Sequence, residues 1–241
     1  MSHKLLTIIA AFACSVAVCP AVDAAAPKVD ASAMAPYIYP ANSPKSVNLR
    51  YMPDGLSYLK VSPDHKSIVK YDVKTGKEVA KILDVTHTRE TTIGRVGGFI
   101  LSLDGSKLLV YEDAEPIYRY SVKGTYYFFD IHRNILKPLS TEHTVQQAPV
   151  FSPDARMVAF MAEDNNIYLK KLDFGTEVPV TTDGKVNSVI NGVPDWTYQE
   201  EFATLCSMVW SPDNTTLCFI KYNETDVPAY SFPLYQGACD P

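Results

Sequence analysis

Phe151-Ser-Pro-Asp-Ala-Arg-Met-Val-Ala-Phe-Met161 is the stretch that decides the fold, because it joins one apolar strand to the next through a short polar turn. Proline presets the backbone angle at the first turn position, and serine and aspartate side chains hydrogen-bond the nearby backbone. The same phrase occurs four times: an apolar residue, Ser-x-Asp, a few polar residues and an apolar strand. Its serines are Ser62, Ser102, Ser152 and Ser211.

The four serines stand 40, 50 and 59 residues apart, which is close to the length of one four-stranded propeller blade plus insertions. Further turns follow at residues 74–77 and 163–166, as a blade requires. A β-sandwich also uses Ser-Pro-Asp turns, but four copies at this spacing favour a propeller. The sequence therefore predicts an all-β fold with about four β-propeller blades. Residues 235–241 include no closing strand, so we expect the propeller to be incomplete.

The composition of the 241 residues suits a folded protein, with 46% hydrophobic and 20% charged residues. The 17 Pro and 15 Tyr favour many turns and aromatic strands over a helical bundle. Lys and Arg number 22 against 27 Asp and Glu, and no dense basic run occurs, so we expect no nucleic-acid partner. No spacing typical of a zinc site occurs, and we expect neither a metal nor a cofactor.

The first 24 residues have the pattern of a secretory signal peptide. Lys4 supplies a positive charge, residues 5–18 are uncharged, and the small residues around Ala24 suit cleavage. Cys19-Pro20 and Asp23 interrupt the apolar run before the roughly 20 residues that a membrane span needs. We therefore expect export to the periplasm or the medium of a bacterium, with no membrane span after cleavage. The expected parts are a signal peptide (1–24), a linker (25–44) and the propeller region (45–241).

Three cysteines remain after the signal peptide: Cys206, Cys218 and Cys239. An odd number leaves one thiol unpaired, or pairs it with a residue outside this chain. Cys206 and Cys218 flank the last Ser-x-Asp turn and could face each other across a hairpin. The other interpretation is that the thiols are free and buried.

The alternation of predicted strands and turns is interrupted at residues 191–202, which read Asn-Gly-Val-Pro-Asp-Trp-Thr-Tyr-Gln-Glu-Glu-Phe. Asn-Gly and Pro-Asp indicate turns, and the run that follows predicts one helical turn capped by Asp195. Asp-Trp-x-Tyr-x-Glu-Glu, with residues 210–216 and 222–228, resembles the dipeptidyl peptidase IV family, a branch of the prolyl oligopeptidases. The resemblance covers nearly all of the mature chain and implies about four of the eight blades of that family's N-terminal propeller.

In that family two adjacent glutamates of this motif hold the free α-ammonium of the peptide substrate, which implies this role for Glu200 and Glu201. An N-terminal amine, with a pKa of roughly 8, is mostly cationic at neutral pH. A peptide that continues upstream has no charge to satisfy the two acids. Gln199 departs from the family pattern, which usually has a third glutamate there. The alternative interpretation is an exposed Glu-Glu pair on an ordinary helix.

Residues 115–121, Glu-Pro-Ile-Tyr-Arg-Tyr-Ser, and the aromatic run 126–130 extend the resemblance. In the family this segment carries an arginine that hydrogen-bonds a backbone carbonyl of the substrate, which implies that role for Arg119. The planar fork of a guanidinium suits carbonyl recognition. Arg119 could also pair with one of the two glutamates and orient it, or be an ordinary surface arginine.

The family's catalytic groups reside in a C-terminal α/β-hydrolase domain with a Gly-x-Ser-x-Gly motif, which these 241 residues lack. No catalytic residue is therefore assigned here, and we expect the chain alone to be inactive. The resemblance implies a homodimeric serine exopeptidase that releases dipeptides with Pro or Ala second, its propeller capturing the substrate's free N-terminus. The alternative is a non-catalytic periplasmic propeller that scaffolds protein partners.

Overall fold

The computed structural model describes residues 49–228, so the expected signal peptide and linker lie outside the described residues. The described part holds 17 strands and one short helix. None of its helical structure is long and apolar enough to cross a bilayer. Its first sheet is an antiparallel meander of four strands: β1 (Leu49–Tyr51), β2 (Ser57–Val61), β3 (Ser67–Asp72) and β4 (Glu78–Asp84).

Two more meanders share one nine-stranded sheet. They join where β10 pairs with β8, with Gln146 opposite Gly124 and Gln147 opposite Lys123. A two-stranded parallel contact attaches β5 to β9. The strands are β5 (Arg89–Glu90), β6 (Gly98–Leu101), β7 (Lys107–Pro116), β8 (Val122–Asp130), β9 (Ile135–Pro138), β10 (Gln146–Phe151), β11 (Met157–Ala162), β12 (Ile167–Lys171) and β13 (Glu177–Pro179).

The last described segment begins a fourth unit. Here β15 (Met208–Trp210) and β16 (Leu217–Phe219) form a hairpin, while β14 (Val189–Asn191) pairs with β17 (Lys221–Asn223). Three four-stranded meanders followed by this hairpin confirm the predicted all-β fold, an incomplete β-propeller of about four blade units.

Each Ser-x-Asp phrase forms the same turn between two paired strands. In the third copy, Ser152 Oγ donates to Asp154 Oδ1 at 2.6 Å and accepts from the Met157 N–H at 2.9 Å. The same Asp154 oxygen accepts from the Arg156 N–H at 3.1 Å. The residue after each aspartate has a left-handed backbone, with φ of 58°, 73°, 55° and 64° at His65, Gly105, Ala155 and Asn214. The turn is closed within six residues, which explains why the sequence alone reveals it.

A fifth turn of this kind lacks the serine and was not predicted. Met52 takes the place of the serine, its N–H bonds the Ser57 carbonyl, and Asp54 Oδ1 accepts from the Leu56 N–H at 2.9 Å. Gly55 supplies the left-handed residue, with φ 65°. Pro-Asp-Gly is the signal that would have found it. The first sheet consequently starts one hairpin earlier than the first Ser-x-Asp phrase.

Stacking of the sheets buries β7 on both faces. Leu108, Leu109 and Val110 are all 0% exposed. Because side chains alternate along a strand, Leu108 and Val110 pack with the first sheet while Leu109 packs with the third meander. The first cluster includes Leu59, Ile68, Leu83, Phe99, Phe129 and Leu136, and the second includes Tyr126, Phe128, Leu139, Val158, Phe160 and Leu172. This face-to-face packing of blades holds the strands that carry the candidate site.

The turn serines test how burial changes the contribution of the turn hydrogen bonds to stability. Ser152→Ala should lower the free energy of unfolding by about 2 kcal/mol, because it removes two hydrogen bonds from a buried turn. Ser62 makes the same turn contacts but is half-buried, so Ser62→Ala should cost roughly half as much. Urea denaturation of the full chain measures both. Equal losses would contradict the view that burial sets the cost.

Cys206 and Cys218 are both free thiols. Cys218 lies opposite Val209 in the β15–β16 hairpin rather than opposite Cys206, so the idea that the two cysteines face each other is wrong. The interpretation as free thiols is confirmed for both, but neither is fully buried. Cys206 is half-buried, and desolvation raises its pKa, whereas Cys218 is exposed. Cys239 lies outside the described residues.

Candidate functional site

The segment with the two glutamates forms helix α1, Trp196–Phe202, which has seven residues rather than the single turn predicted. Asp195 caps it as predicted, since its carboxylate accepts from the Tyr198 N–H at 3.2 Å. Ala203, in the left-handed region with φ 51°, ends the helix. A helix this short depends on contacts with the rest of the fold.

A long hairpin extends from the second meander and carries Arg119. Strands β7 and β8 stay paired out to Pro116 and Val122, with a register shift between Tyr111 and Ala114. The Ile117 N–H donates to the Ser121 carbonyl at 2.9 Å and closes the tip. We call residues 113–124 the arm. Its tip places Arg119 against helix α1.

Arg119 and Glu200 meet although they are 81 residues apart in the chain. Arg119 Nη2 lies 3.0 Å from Glu200 Oε1, and the Arg119 backbone N–H donates to Glu200 Oε2 at 3.0 Å. The Glu200 side chain is 14% exposed and that of Arg119 is 63% exposed. Both oxygens of the Glu200 carboxylate are thus oriented by the arm, which is the pairing that the sequence allowed as one possibility.

Glu201 follows Glu200 in helix α1 but is exposed. We call Arg119, Glu200 and Glu201 the cluster. Among residues 49–228, Glu201 forms no hydrogen bond or ion pair, so its carboxylate is open to a ligand. The Tyr120 side chain, and then the charges of Glu200 and Glu201, raise the pKa of the Arg119 guanidinium. The structure therefore brings all three predicted site residues together.

The charges of this cluster favour a cation with several N–H donors. Two carboxylates and one guanidinium leave a net negative charge on the cluster, although only Glu200 contacts Arg119 directly. A carboxylate offers about four acceptor positions and a guanidinium five donors, so the contacts between Arg119 and Glu200 use only part of each. The cluster can accept from an ammonium and donate to a carbonyl at the same time.

Exposed aromatic side chains surround the cluster and were not singled out from the sequence. The guanidinium carbon of Arg119 lies 5.8 Å from the centre of the Tyr120 ring, a cation–π distance. On the helix, the rings of Tyr198 and Phe202 are 5.7 Å apart. The sequence signal that could have found them is their position, because aromatic residues flank both Arg119 and the Glu200-Glu201 pair in the chain. The exposed members are Tyr118, Tyr120, Trp196, Tyr198 and Phe202.

A cavity of about 430 Å³ lies on another side of helix α1. Tyr118, Trp196 and Gln199 contribute to its wall, whereas Arg119, Glu200 and Glu201 do not line it. The acidic pair therefore lies outside the wall of this cavity, with Glu200 largely buried under the arm and Glu201 exposed. Within residues 49–228, no group of three or more His, Cys, Asp or Glu side chains could hold a metal ion.

Comparison with known proteins agrees with this architecture. The family described as "Dipeptidyl peptidase IV (DPP IV) N-terminal region" matches residues 102–240. The crystal structure of Porphyromonas gingivalis dipeptidyl peptidase 4 superposes with a TM-score of 0.75 and 42% identity, over 80% of this chain and 28% of that one. Human prolyl endopeptidase FAP is 30% identical over 182 residues, 75% of this chain and 23% of the relative.

A fungal relative shows the same pattern of partial coverage. A probable dipeptidyl-aminopeptidase B of Aspergillus niger is 37% identical over 133 residues, which is 54% of this chain and 14% of that protein. The chain thus spans between 14% and 28% of the length of these relatives.

Proposed function

Because the chain belongs to the dipeptidyl peptidase IV N-terminal region family, we propose that it is the propeller part of an exported serine exopeptidase. It captures the free N-terminus of a peptide, and an α/β-hydrolase domain outside this chain releases the X-Pro or X-Ala dipeptide. The observation that supports this proposal is the Glu200 carboxylate held by Arg119 next to the open carboxylate of Glu201.

In the proposed complex the α-ammonium donates its three N–H groups to the two carboxylates. Glu201 accepts without losing another partner, since it has none among the described residues. Glu200 accepts through the positions that Arg119 leaves free. The remaining N–H donors of the exposed Arg119 side chain bind a backbone carbonyl of the substrate. These contacts hold the N-terminus of the peptide in one place, so the rest of the peptide extends from a fixed point.

This arrangement selects an exopeptidase because the acids need a positive charge. A peptide that continued past the site would desolvate the carboxylates and offer no ammonium in return, which costs free energy. The relatives include proteins named both as dipeptidyl peptidases and as a prolyl endopeptidase. The requirement for a free amine is therefore the property that decides between the two activities for this protein.

The proposal also covers the processing, the location and the assembly of the protein. We propose that residues 1–24 are removed as a signal peptide, that residues 25–44 are a linker, and that the propeller region from residue 45 works in the periplasm or outside the cell. The complete peptidase is proposed to be a homodimer. A non-catalytic propeller that binds other proteins is the second candidate, and it would tolerate loss of the acidic pair.

The test uses the complete protein and a Gly-Pro chromogenic substrate with a free or an acetylated amine. We expect rapid hydrolysis of the free substrate, blocked by a serine-directed inhibitor, and hydrolysis of the acetylated one at least about tenfold slower, as loss of one charge-assisted contact implies. The 241-residue chain alone should hydrolyse neither. Equal rates on both substrates would refute the exopeptidase proposal, and no hydrolysis by the complete protein would favour the scaffold.

A further inference from the structure

Gln199, directly before the acidic pair, makes contacts that the proposed chemistry does not use. Its side chain is buried, with the residue 5% exposed. Its Nε2 donates to the Pro194 carbonyl at 2.5 Å, and its Oε1 accepts from Gln147 Nε2 at 3.3 Å. The Pro194 carbonyl only accepts, so the amide must present its nitrogen to that oxygen. One side chain therefore bonds both to the start of its own helix and to strand β10.

Strand β10 also carries the arm. Gln147 lies opposite Lys123 in the β10–β8 ladder, and β8 is the returning strand of the arm that ends in Arg119. Helix α1 and the arm are thus both attached to the same stretch of β10. The helix is attached through the Gln147 and Gln199 side chains, and the arm through backbone pairing. Arg119 and Glu200 therefore lie on two elements that share this attachment.

We propose that Gln199 is a positioning residue that holds Glu200 in register with Arg119. The proposal rests on the proposed function, because it assigns Gln199 to the site that binds the substrate's amine. Residues one apart on a helix point about 100° from each other. Gln199 accordingly packs inward while Glu200 reaches the arm. A helix of seven residues depends on such tertiary contacts to set its rotation, and the Gln199 contacts are those on its buried side.

The contacts of residue 199 suit a neutral amide better than a carboxylate. A carboxylate here would place a negative charge against the Pro194 carbonyl oxygen, which it cannot bond without a proton. It would also add a third negative charge beside Glu200 and Glu201. An amide supplies the donor that Pro194 requires and the acceptor that Gln147 requires, and adds no charge.

The test compares Gln199→Met, which keeps the volume but removes both hydrogen bonds, with Gln147→Met, which removes only the strand contact. Val158→Ala, in the blade core away from the helix, is the control for general destabilisation. The first readout is amide hydrogen exchange at Arg119 in the full chain, because that N–H is protected by Glu200. The second is KM for a free-amine dipeptide substrate in the complete peptidase.

We expect exchange at Arg119 to speed up about tenfold in Gln199→Met, and about threefold in Gln147→Met, with little change in Val158→Ala. KM should rise several-fold in Gln199→Met while kcat changes little. If neither glutamine variant alters Arg119 exchange more than the control, Gln199 does not position Glu200. If Arg119 exchange and its dependence on Gln199 are as expected but Glu200→Gln leaves KM unchanged, the positioning stands and the amine-binding function fails.

Discussion

Glu200→Gln in the complete peptidase should lower kcat/KM for a free-amine dipeptide substrate by about ten- to a hundredfold. A charge-assisted hydrogen bond is worth about 1.5–3 kcal/mol, and a factor of ten in rate corresponds to about 1.4 kcal/mol. The glutamine keeps the size of the side chain and one oxygen for the Arg119 contacts. Its amide nitrogen cannot accept from Arg119, so the loss combines the missing charge at the ammonium with one lost contact to the arm. Steady-state kinetics with a Gly-Pro chromogenic substrate measure it.

Two controls accompany this variant. The active-site serine should still react with a small organophosphate at the wild-type rate, because that reagent has no ammonium to bind. Glu78→Gln removes an exposed glutamate on β4 of the first sheet, and it should change kcat/KM by less than about twofold, as expected for a surface substitution. A Glu200→Gln loss no larger than the Glu78→Gln loss would contradict the anchor.

Arg119→Met should lower kcat/KM by about a hundredfold or more, because it removes two interactions, the donor to the substrate carbonyl and the charge that orients Glu200. The Arg119 backbone N–H still holds Glu200 Oε2, so the carboxylate keeps one of its two fixed contacts. Arg119→Lys keeps the positive charge but not the planar fork, and should recover part of the loss. The same kinetic assay measures both variants.

Arg133→Met is the matched control for the arginine. The Arg133 side chain is 70% exposed and lies 3.9 Å from Asp130, far from the acidic pair in the turn after β8. Exposed ion pairs of this kind contribute little, so activity should stay within about twofold of the wild type. If Arg119→Met cost no more than Arg133→Met, Arg119 would be the ordinary surface arginine that the sequence left open.

The hairpin turns could be predicted from the sequence because their determinants are local. In the turn at Ser152, the hydroxyl, the aspartate and the bonded N–H groups all lie within six residues. The same locality allowed Asp195 to be recognised as the helix cap. The turn at Met52 was missed because its local code is Pro-Asp-Gly without serine, although the resulting backbone is the same.

The assembly of the site could not be predicted from local pattern. The contact between Arg119 and Glu200 spans 81 residues, and that between Gln147 and Gln199 spans 52. The resemblance to the family identified Arg119, Glu200 and Glu201 as site residues. It did not indicate which oxygen of Glu200 accepts from which donor of Arg119. The inner contacts of Gln199 depend on where β10 lies in the fold. The sequence showed that Gln199 departs from the family motif, but it could not show which residues the Gln199 side chain contacts.

The measurement that tests the amine anchor most directly is a double-mutant cycle between the acidic pair and the substrate's amine. It compares wild-type peptidase with the Glu200→Gln, Glu201→Gln double variant, each on a free and an N-acetylated dipeptide substrate. If the glutamates bind the ammonium, the variant should lose about a hundredfold or more in kcat/KM on the free substrate and little on the acetylated one. Equal fractional losses on both substrates would show that the glutamates serve the fold and not the amine.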